Sequence, residues 1–364
     1  MIYLISIISF SLSFLFLWKV IHYAYNHKIF DGHDERKIHH GNIPRVGGMA
    51  FVPAAFIAYL FALIILYLKN EVAELGVHAS LLRDSLFFLF AIAVIYFFGI
   101  YDDLKGLRYR RKFTYQIITG LVLCFASIYT KEIHGMLALY HIPPPFGCFV
   151  TIFLMVLSIN AFNFIDGIDG LSSSIAILSL GYYAFILYLE KNYFYLLAIA
   201  FLAALLPFFL FNVFGNKSKC TKVFMGDTGS TVLGLVLFLL ALVVNENPGT
   251  PMLYNNPLVI AFAPLLLPFY DVFSVVFYRL LNAKNIFKAD NNHFHHKLLK
   301  LGLSQPKALL VELLVFIFII VITLVLVRFV NLNFIIGTSL VLWIIINMLL
   351  SNKIDKNNTK IIDS

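Results

Sequence analysis

Apolar residues in this chain come in long blocks, and polar residues collect in the gaps between them. Eleven blocks stand out: 2–25, 46–68, 85–101, 113–130, 147–162, 173–190, 193–211, 229–244, 257–278, 308–327 and 332–350. An α-helix crosses a bilayer in about 20 residues, and most blocks are close to that length. Blocks 147–162 and 229–244 are shorter, so their ends are expected to dip toward the interface. The short alternating segments of an outer-membrane barrel are absent. The pattern predicts an all-α polytopic membrane protein with eleven transmembrane helices. It reads as one transmembrane domain over 1–350 and a polar tail over 351–364.

Composition narrows the class further. Of 364 residues, 61% are hydrophobic and 13% charged, with a mean hydropathy of +0.88. A soluble globular chain is roughly 45–50% apolar and about 25% charged. A soluble domain, a disordered chain and a secreted disulfide scaffold are therefore excluded. Cys124, Cys148 and Cys220 share no close spacing, which argues against a disulfide framework or a cysteine zinc site. The first block runs into a charged loop without a small-residue cleavage site, so it reads as a retained helix. No repeat at a fixed period is visible, and the inverted repeats of many transporters are not evident.

The net charge of +8 matters through its placement. Alternate gaps 26–45, 102–112, 163–172, 212–228 and 279–307, together with the tail, hold 21 Lys and Arg residues. The remaining gaps hold 5, and Lys19 lies inside the first block. The positive-inside rule then puts the N-terminus outside and the C-terminus in the cytoplasm.

Five polar stretches fall on the basic side, where side chains from separate loops can converge. The first runs from Asp31 to Gly48 and includes Arg45. Pro44 and Gly47-Gly48 argue for a tight backbone approach at the head of the second block, although a solvated loop is an equally good reading. The second begins with Asp102-Asp103 and ends with Lys112. A positive-inside anchor accounts for Arg108, Arg110 and Arg111. It does not account for the two aspartates, since carboxylates at a membrane boundary are costly without a partner.

In the third stretch Asn160, Asn163, Asp166 and Asp169 recur at steps of three. On a helix that spacing stacks them along one face. Gly167 and Gly170 then loosen the helix, and no Lys or Arg accompanies the acids in this gap. The acids therefore call for a cation or a hydrogen-bonding ligand, the plainer alternative being a polar helix cap. An EF-hand is excluded because it needs alternate-residue ligands and a closing Glu. The fourth stretch is Phe224 to Ser230, where Asp227 reads either as an N-cap or as part of a cytoplasmic helix terminus suited to anions. The fifth carries Arg279, Asp290, His293, His295 and His296. Zinc is one reading of the histidines. No Cys or Glu stands nearby at zinc spacing, and phosphate recognition fits as well.

These stretches supply carboxylates and an amide for a hard cation, and Lys, Arg and His for phosphates. Mg2+ prefers oxygen ligands and commonly shares them with substrate phosphates. The implied chemistry is phosphoryl transfer at the cytoplasmic membrane surface. An ATPase is not expected, because there is no Walker A sequence.

At these residues the chain resembles the polyprenyl-phosphate N-acetylhexosamine-1-phosphate transferases, a branch of glycosyltransferase family 4. The matching stretches are Asp34-Glu-Arg-Lys with Ile43-Pro-Arg-Val-Gly-Gly48, Asp102-Asp103, Asn160 to Leu171, Val223 to Ser230, and His293-Phe-His-His296. They occur in the family's order. The resemblance implies that a lipid phosphate attacks the β-phosphorus of a UDP-N-acetylhexosamine, giving a lipid-diphospho-sugar and UMP. It implies Mg2+, with Mn2+ as a substitute, held by Asn163 and Asp227. It gives Lys112 to the pyrophosphate, Asp102 and Asp103 to the lipid phosphate, Asp169 to the nucleotide and Asp166 to the same loop. Arg279, His293, His295 and His296 match a loop closing over the sugar phosphates, and Arg45 lies in the first matching stretch.

The same resemblance implies undecaprenyl phosphate as acceptor, GlcNAc as the favoured sugar, and a bacterial inner membrane with the site facing the cytoplasm. Nucleic acid is not expected as a partner, and a homodimer is left open. The muramyl-pentapeptide transferase branch is the near competitor. A transporter would place its essential polar residues near mid-span. An alcohol phosphatidyltransferase would need a dense Asp-rich motif that is absent here. A structural subunit would leave the aspartates unexplained.

Overall fold

The computed structural model describes residues 1–27, 43–68, 78–246, 256–283 and 293–362. Each apolar block is mainly helical. The first helices are α1 (Ile2–Asn26), α2 (Gly47–Leu68), α3 (His78–Lys105), α4 (Tyr109–Phe125), α5 (Pro144–Ile165), α6 (Leu171–Leu189), α7 (Tyr195–Phe214) and α8 (Gly226–Glu246). The ninth crossing is broken into α9 (Pro257–Phe262) and α10 (Leu266–Leu281) by a tight turn over Ala263–Leu265. Pro264 and Pro268 remove backbone donors there. The short α11 (Phe294–Lys300) precedes α12 (Gln305–Leu326) and α13 (Leu332–Ile362), so the start of the polar tail continues the last helix.

Among the described residues, ten of these helical segments, one fewer than the eleven expected, are long and apolar enough to span a membrane. The remaining one, α4, has 17 residues and carries Arg110, Arg111 and Lys112 in its first turn. It stops five residues short of the expected block end. Ser127 adopts a left-handed φ of 63°, its N–H bonds Cys124 O, and the Ile128 N–H bonds Leu123 O. This pair of bonds is a Schellman stop, sealed by buried Leu123 and Ile128. The chain then forms an antiparallel hairpin, β1 (Glu132–Met136) with β2 (Leu139–His141), where only a loop was expected. Its two-residue turn, Leu137-Ala138, has positive φ at both positions, as a type I′ turn requires.

Helix α8 is the axis of the bundle: 94% of its membrane window is buried, against 17% for α12 and α13. A helix that is apolar all round is stable only in such a position. Glycines let its neighbours approach closely. A Cβ at Gly48 would lie 2.2 Å from Gly229 N, and one at Gly99 would lie 2.6 Å from Thr228 Cα. The chain before α2 pairs with the chain before α8 through Phe224 N to Pro44 O (2.9 Å), Gly47 N to Phe224 O (3.0 Å) and Gly48 N to Met225 O (2.9 Å). The tight approach expected at Gly47-Gly48 is thus made to another polar stretch, and α3 delivers its two aspartates to the same place.

Candidate active site

Asp102 and Asp103 sit in the last turn of α3 and do different things. Both oxygens of Asp103 face the N-terminus of α8, where backbone N–H groups have no helical partner. Oδ1 accepts from Asp227 N at 2.7 Å, and Oδ2 accepts from Thr228 N at 2.9 Å and Thr228 Oγ1 at 2.5 Å. Asp103 therefore caps α8 from another helix. The anion expected at this terminus is a protein carboxylate, and Asp227 is released from the capping role that was its plainer reading.

The freed Asp227 side chain joins three other elements. Its Oδ2 accepts from Lys112 Nζ at 2.7 Å, and its Oδ1 accepts from Asn163 Nδ2 at 3.0 Å. Asn163 Nδ2 also reaches Ser230 Oγ at 3.0 Å. Lys112 is in addition ion-paired with Asp102 Oδ2, while Asp102 Oδ1 accepts from Leu107 N at 2.6 Å. One ammonium thus bridges two carboxylates that lie 125 residues apart in sequence. Arg108, Arg110 and Arg111 stay exposed, which separates Lys112 from the basic run it belongs to.

The step-of-three ladder holds only in part. Asn160 and Asn163 are on α5, but the helix ends at Ile165 with Asp166 as its cap residue, and Gly170 takes a φ of +81°. Asp166 turns aside to accept from Ser172 Oγ at 2.5 Å. Burial pushes its carboxyl up to about 6, opposed by that hydroxyl and by the charge of Arg45. Asp169 pairs with Lys222 Nζ at 2.8 Å, and Lys222 also donates to Asn212 O. Of the two acids in this gap, Asp169 is therefore compensated by a cation from the loop before α8. The loop is fastened further by Asn212, which accepts from Gly170 N (2.8 Å) and donates to Val223 O (2.9 Å).

The histidine stretch packs onto that loop. The His293 ring lies 5.1 Å from the Phe164 ring, and a Cβ at Gly167 would fall 2.0 Å from His295 Nε2. His295 is fully buried, its nitrogens have no hydrogen-bond partner among the described residues, and burial and the neighbouring His296 hold its pKa well below the usual value. Asp271 on α10 secures the arrangement: its Oδ2 accepts from His293 Nδ1 at 2.8 Å and its Oδ1 from Phe294 N at 3.0 Å. Arg279 is buried two turns further along α10, and Lys297 ties α11 to Asn347 on α13 at 2.9 Å.

Asp271, Lys222 and Asn212 were not singled out from the sequence. Asp271 had a signal, because it is an isolated acid inside an apolar block, and such residues are costly unless they serve a purpose. Asp34 to Lys37 and Asp290 lie outside the described residues.

No three His, Cys, Asp or Glu side chains are grouped as a metal cage among the described residues. Carboxylate oxygens of Asp102 and Asp227, the ligand type a hard divalent cation prefers, converge on Lys112, while Asn163 meets Asp227 through its Nδ2.

Residues 85–245 match the family model described as Glycosyl transferase family 4. The chain is 30% identical to the undecaprenyl-phosphate alpha-N-acetylglucosaminyl 1-phosphate transferase of Escherichia coli strain K12, over 84% of this chain and 78% of that protein. It is 28% identical to the protein of the same name from Yersinia pestis over the same shares. It is also 31% identical to the phospho-N-acetylmuramoyl-pentapeptide-transferase of Streptococcus equi subsp. equi, over 59% of this chain and 64% of that one.

Proposed function

Because the chain belongs to glycosyl transferase family 4, we propose that it transfers N-acetylhexosamine-1-phosphate, GlcNAc favoured, from a UDP-sugar to undecaprenyl phosphate and releases UMP. The observation that carries this reading is the bridge Asp102–Lys112–Asp227 with Asn163 alongside. It concentrates one cation and several hard oxygen donors where phosphates must be held. The relatives named for GlcNAc-1-phosphate transfer align over more of the chain than the muramoyl-pentapeptide relative does, which favours the first sugar over the second.

The reaction brings two anions together, so charge must be offset before phosphorus is attacked. In this proposal the lipid phosphate attacks the β-phosphorus, the bond to the α-phosphate breaks, and UMP leaves with the released electron pair. A phosphate monoester with a second pKa near 6 is already mostly dianionic at pH 7, so no general base is required. Lys112 orients the diphosphate with its ammonium. Asp103 keeps the α8 terminus, and with it Asp227, in place. Asp166 and Asp169 shape the nucleotide side of the site, and the His293–His296 segment packs behind that loop. Asn163 and Asp227, with Asp102 beside them, would hold Mg2+. When bound, that cation offsets phosphate charge in the transition state.

The basic residues favour a cytoplasmic site in a bacterial inner membrane. In a Cys-free variant, a cysteine placed at Arg110 should be shielded from an impermeant thiol reagent in intact cells, and one at Lys131 should be labelled. The function itself is tested by giving purified protein undecaprenyl phosphate, Mg2+ and a panel of UDP-sugars. UMP should form with UDP-GlcNAc, stop with EDTA and resume with Mg2+ or Mn2+. Absence of UMP with every sugar would refute the reading.

A further inference from the structure

Tyr115 and Gln116 are polar side chains that the reaction described above leaves unused. They follow Lys112 on α4 by three and four residues, so they flank that lysine's face of the helix about one turn deeper in the membrane. Tyr115 is 4% exposed and Gln116 1%. The Tyr115 hydroxyl and Gln116 Nε2 have no hydrogen-bond partner among the described residues. Their orientations are nonetheless fixed. Asn160 Nδ2 donates to Gln116 Oε1 at 2.9 Å and to Val156 O at 2.7 Å, so the Gln116 amide must point its NH2 elsewhere. The Tyr115 ring stacks on Phe98 with 4.5 Å between centroids and 5° between planes.

What is left unpaired can donate hydrogen bonds. A buried group without a partner costs about 1–3 kcal/mol, and within a bilayer no water is at hand to relieve it. Two such groups share one turn, next to the lysine of the site, and the charges of Lys112, Asp102, Asp227 and Asp103 all act on the phenol. The amide ladder of α5 makes the same two levels. Asn163 serves the Lys112–Asp227 level and Asn160 serves Gln116 beneath it.

We propose that the Tyr115 hydroxyl and Gln116 Nε2 donate hydrogen bonds to the phosphate of the lipid acceptor, forming the membrane-side step of its binding site. This rests on the transferase reading above. A phosphate dianion offers only acceptors, which is the complement of this pair. The lipid is favoured over the nucleotide sugar by position. The pair lies on the bilayer side of Lys112, and Phe98, on which the Tyr115 ring stacks, is 43% exposed on the lipid-facing surface, where a polyprenyl chain lies.

Tyr115→Phe removes one oxygen and keeps the stacked ring, so the fold should survive. The expected result is a rise of about ten-fold in KM for undecaprenyl phosphate, the size of one hydrogen bond to a charged group. KM for UDP-GlcNAc should stay within about two-fold, and thermal stability should be unchanged or higher. Gln116→Glu keeps an acceptor for Asn160 but faces the phosphate with a carboxylate, and should raise the acceptor KM further. An unchanged acceptor KM in both variants would overturn the proposal. A rise confined to the donor KM would also overturn it, as would a loss of thermal stability with normal acceptor KM. Wild-type protein in the same assay separates the two levels. No UMP from wild type removes the transferase reading together with this one, whereas normal wild-type turnover beside kinetically normal Tyr115 and Gln116 variants removes the acceptor contact alone.

Discussion

The two ends of the bundle are both rich in polar side chains, yet they use them differently. At the hairpin end, side chains bond mainly to backbone. Asn245 Nδ2 donates to Glu132 O (3.0 Å), Asn256 Nδ2 to His134 O (2.8 Å) and Asn333 Nδ2 to Gly135 O (3.0 Å), while Leu137 N donates to Asn333 Oδ1 (2.7 Å). One buried side-chain atom of this group, Asn245 Oδ1, lacks a partner among the described residues. At the other end, side chains from α3, α4, α5 and α8 bond to one another. There the Tyr115 hydroxyl, Gln116 Nε2 and both nitrogens of His295 have no partner among the described residues. A polar cluster that pays off backbone groups is a clamp. A cluster that gathers like charges and leaves donors unmet is arranged for something that is not protein.

That contrast can be broken by substitution, and the largest effect should come from Asp227. Asp227→Asn should lower kcat by at least about 10²- to 10³-fold, because the lost charge acts mainly in the transition state. Steady-state UMP release measures it, and near-normal kcat would remove Asp227 from the chemistry. Lys112→Ala should be nearly as damaging, while Arg110→Ala should stay within about three-fold, since an exposed arginine contributes only about 1 kcal/mol of attraction to anionic lipid. The reverse outcome would shift the pyrophosphate contact to Arg110.

A smaller effect is expected one layer out. Asp271 touches no reacting group, so Asp271→Asn should cost about ten-fold in kcat through misplacement of the His293 segment. A double-mutant cycle with His293→Gln should be strongly non-additive, and additive losses would separate the two residues. The smallest effect belongs to the hairpin end. Asn333→Ala should lower thermal stability by about 1 kcal/mol and leave kcat/KM unchanged. A kinetic loss there would erase the distinction between the two ends.

Much of this contrast was legible in the sequence, and for a physical reason. Hydrophobic block length is set by bilayer thickness, so the crossings could be read without knowing how they pack. The positions of Asp102, Lys112, Asn163 and Asp227 at the basic side were likewise readable, because polar residues at block ends stand out against an apolar background. Pairings made across the fold were not. Lys222 belongs to an ordinary basic loop until Asp169 is seen beside it, and Asp103 becomes a cap only through the close approach of α3 to α8 at Gly99. The hairpin was hidden because Leu137-Ala138 takes positive φ without the Asn-Gly signal that marks such turns. The regular ladder from Asn160 to Asp169 misled for the opposite reason: its spacing is helical, but the helix stops at Ile165.

The claim underlying all of these comparisons is that the Lys112–Asp227 end joins the β-phosphate of a nucleotide sugar to a lipid phosphate. UDP-GlcNAc labelled with 32P at the β-phosphate tests it directly, supplied with undecaprenyl phosphate and Mg2+ to wild type and to Lys112→Ala. The label should move into the organic phase as lipid-diphospho-sugar with wild type, the UMP should be unlabelled, and Lys112→Ala should leave the label in the aqueous phase. Label appearing in UMP, or remaining water-soluble while wild type turns over, would contradict the account.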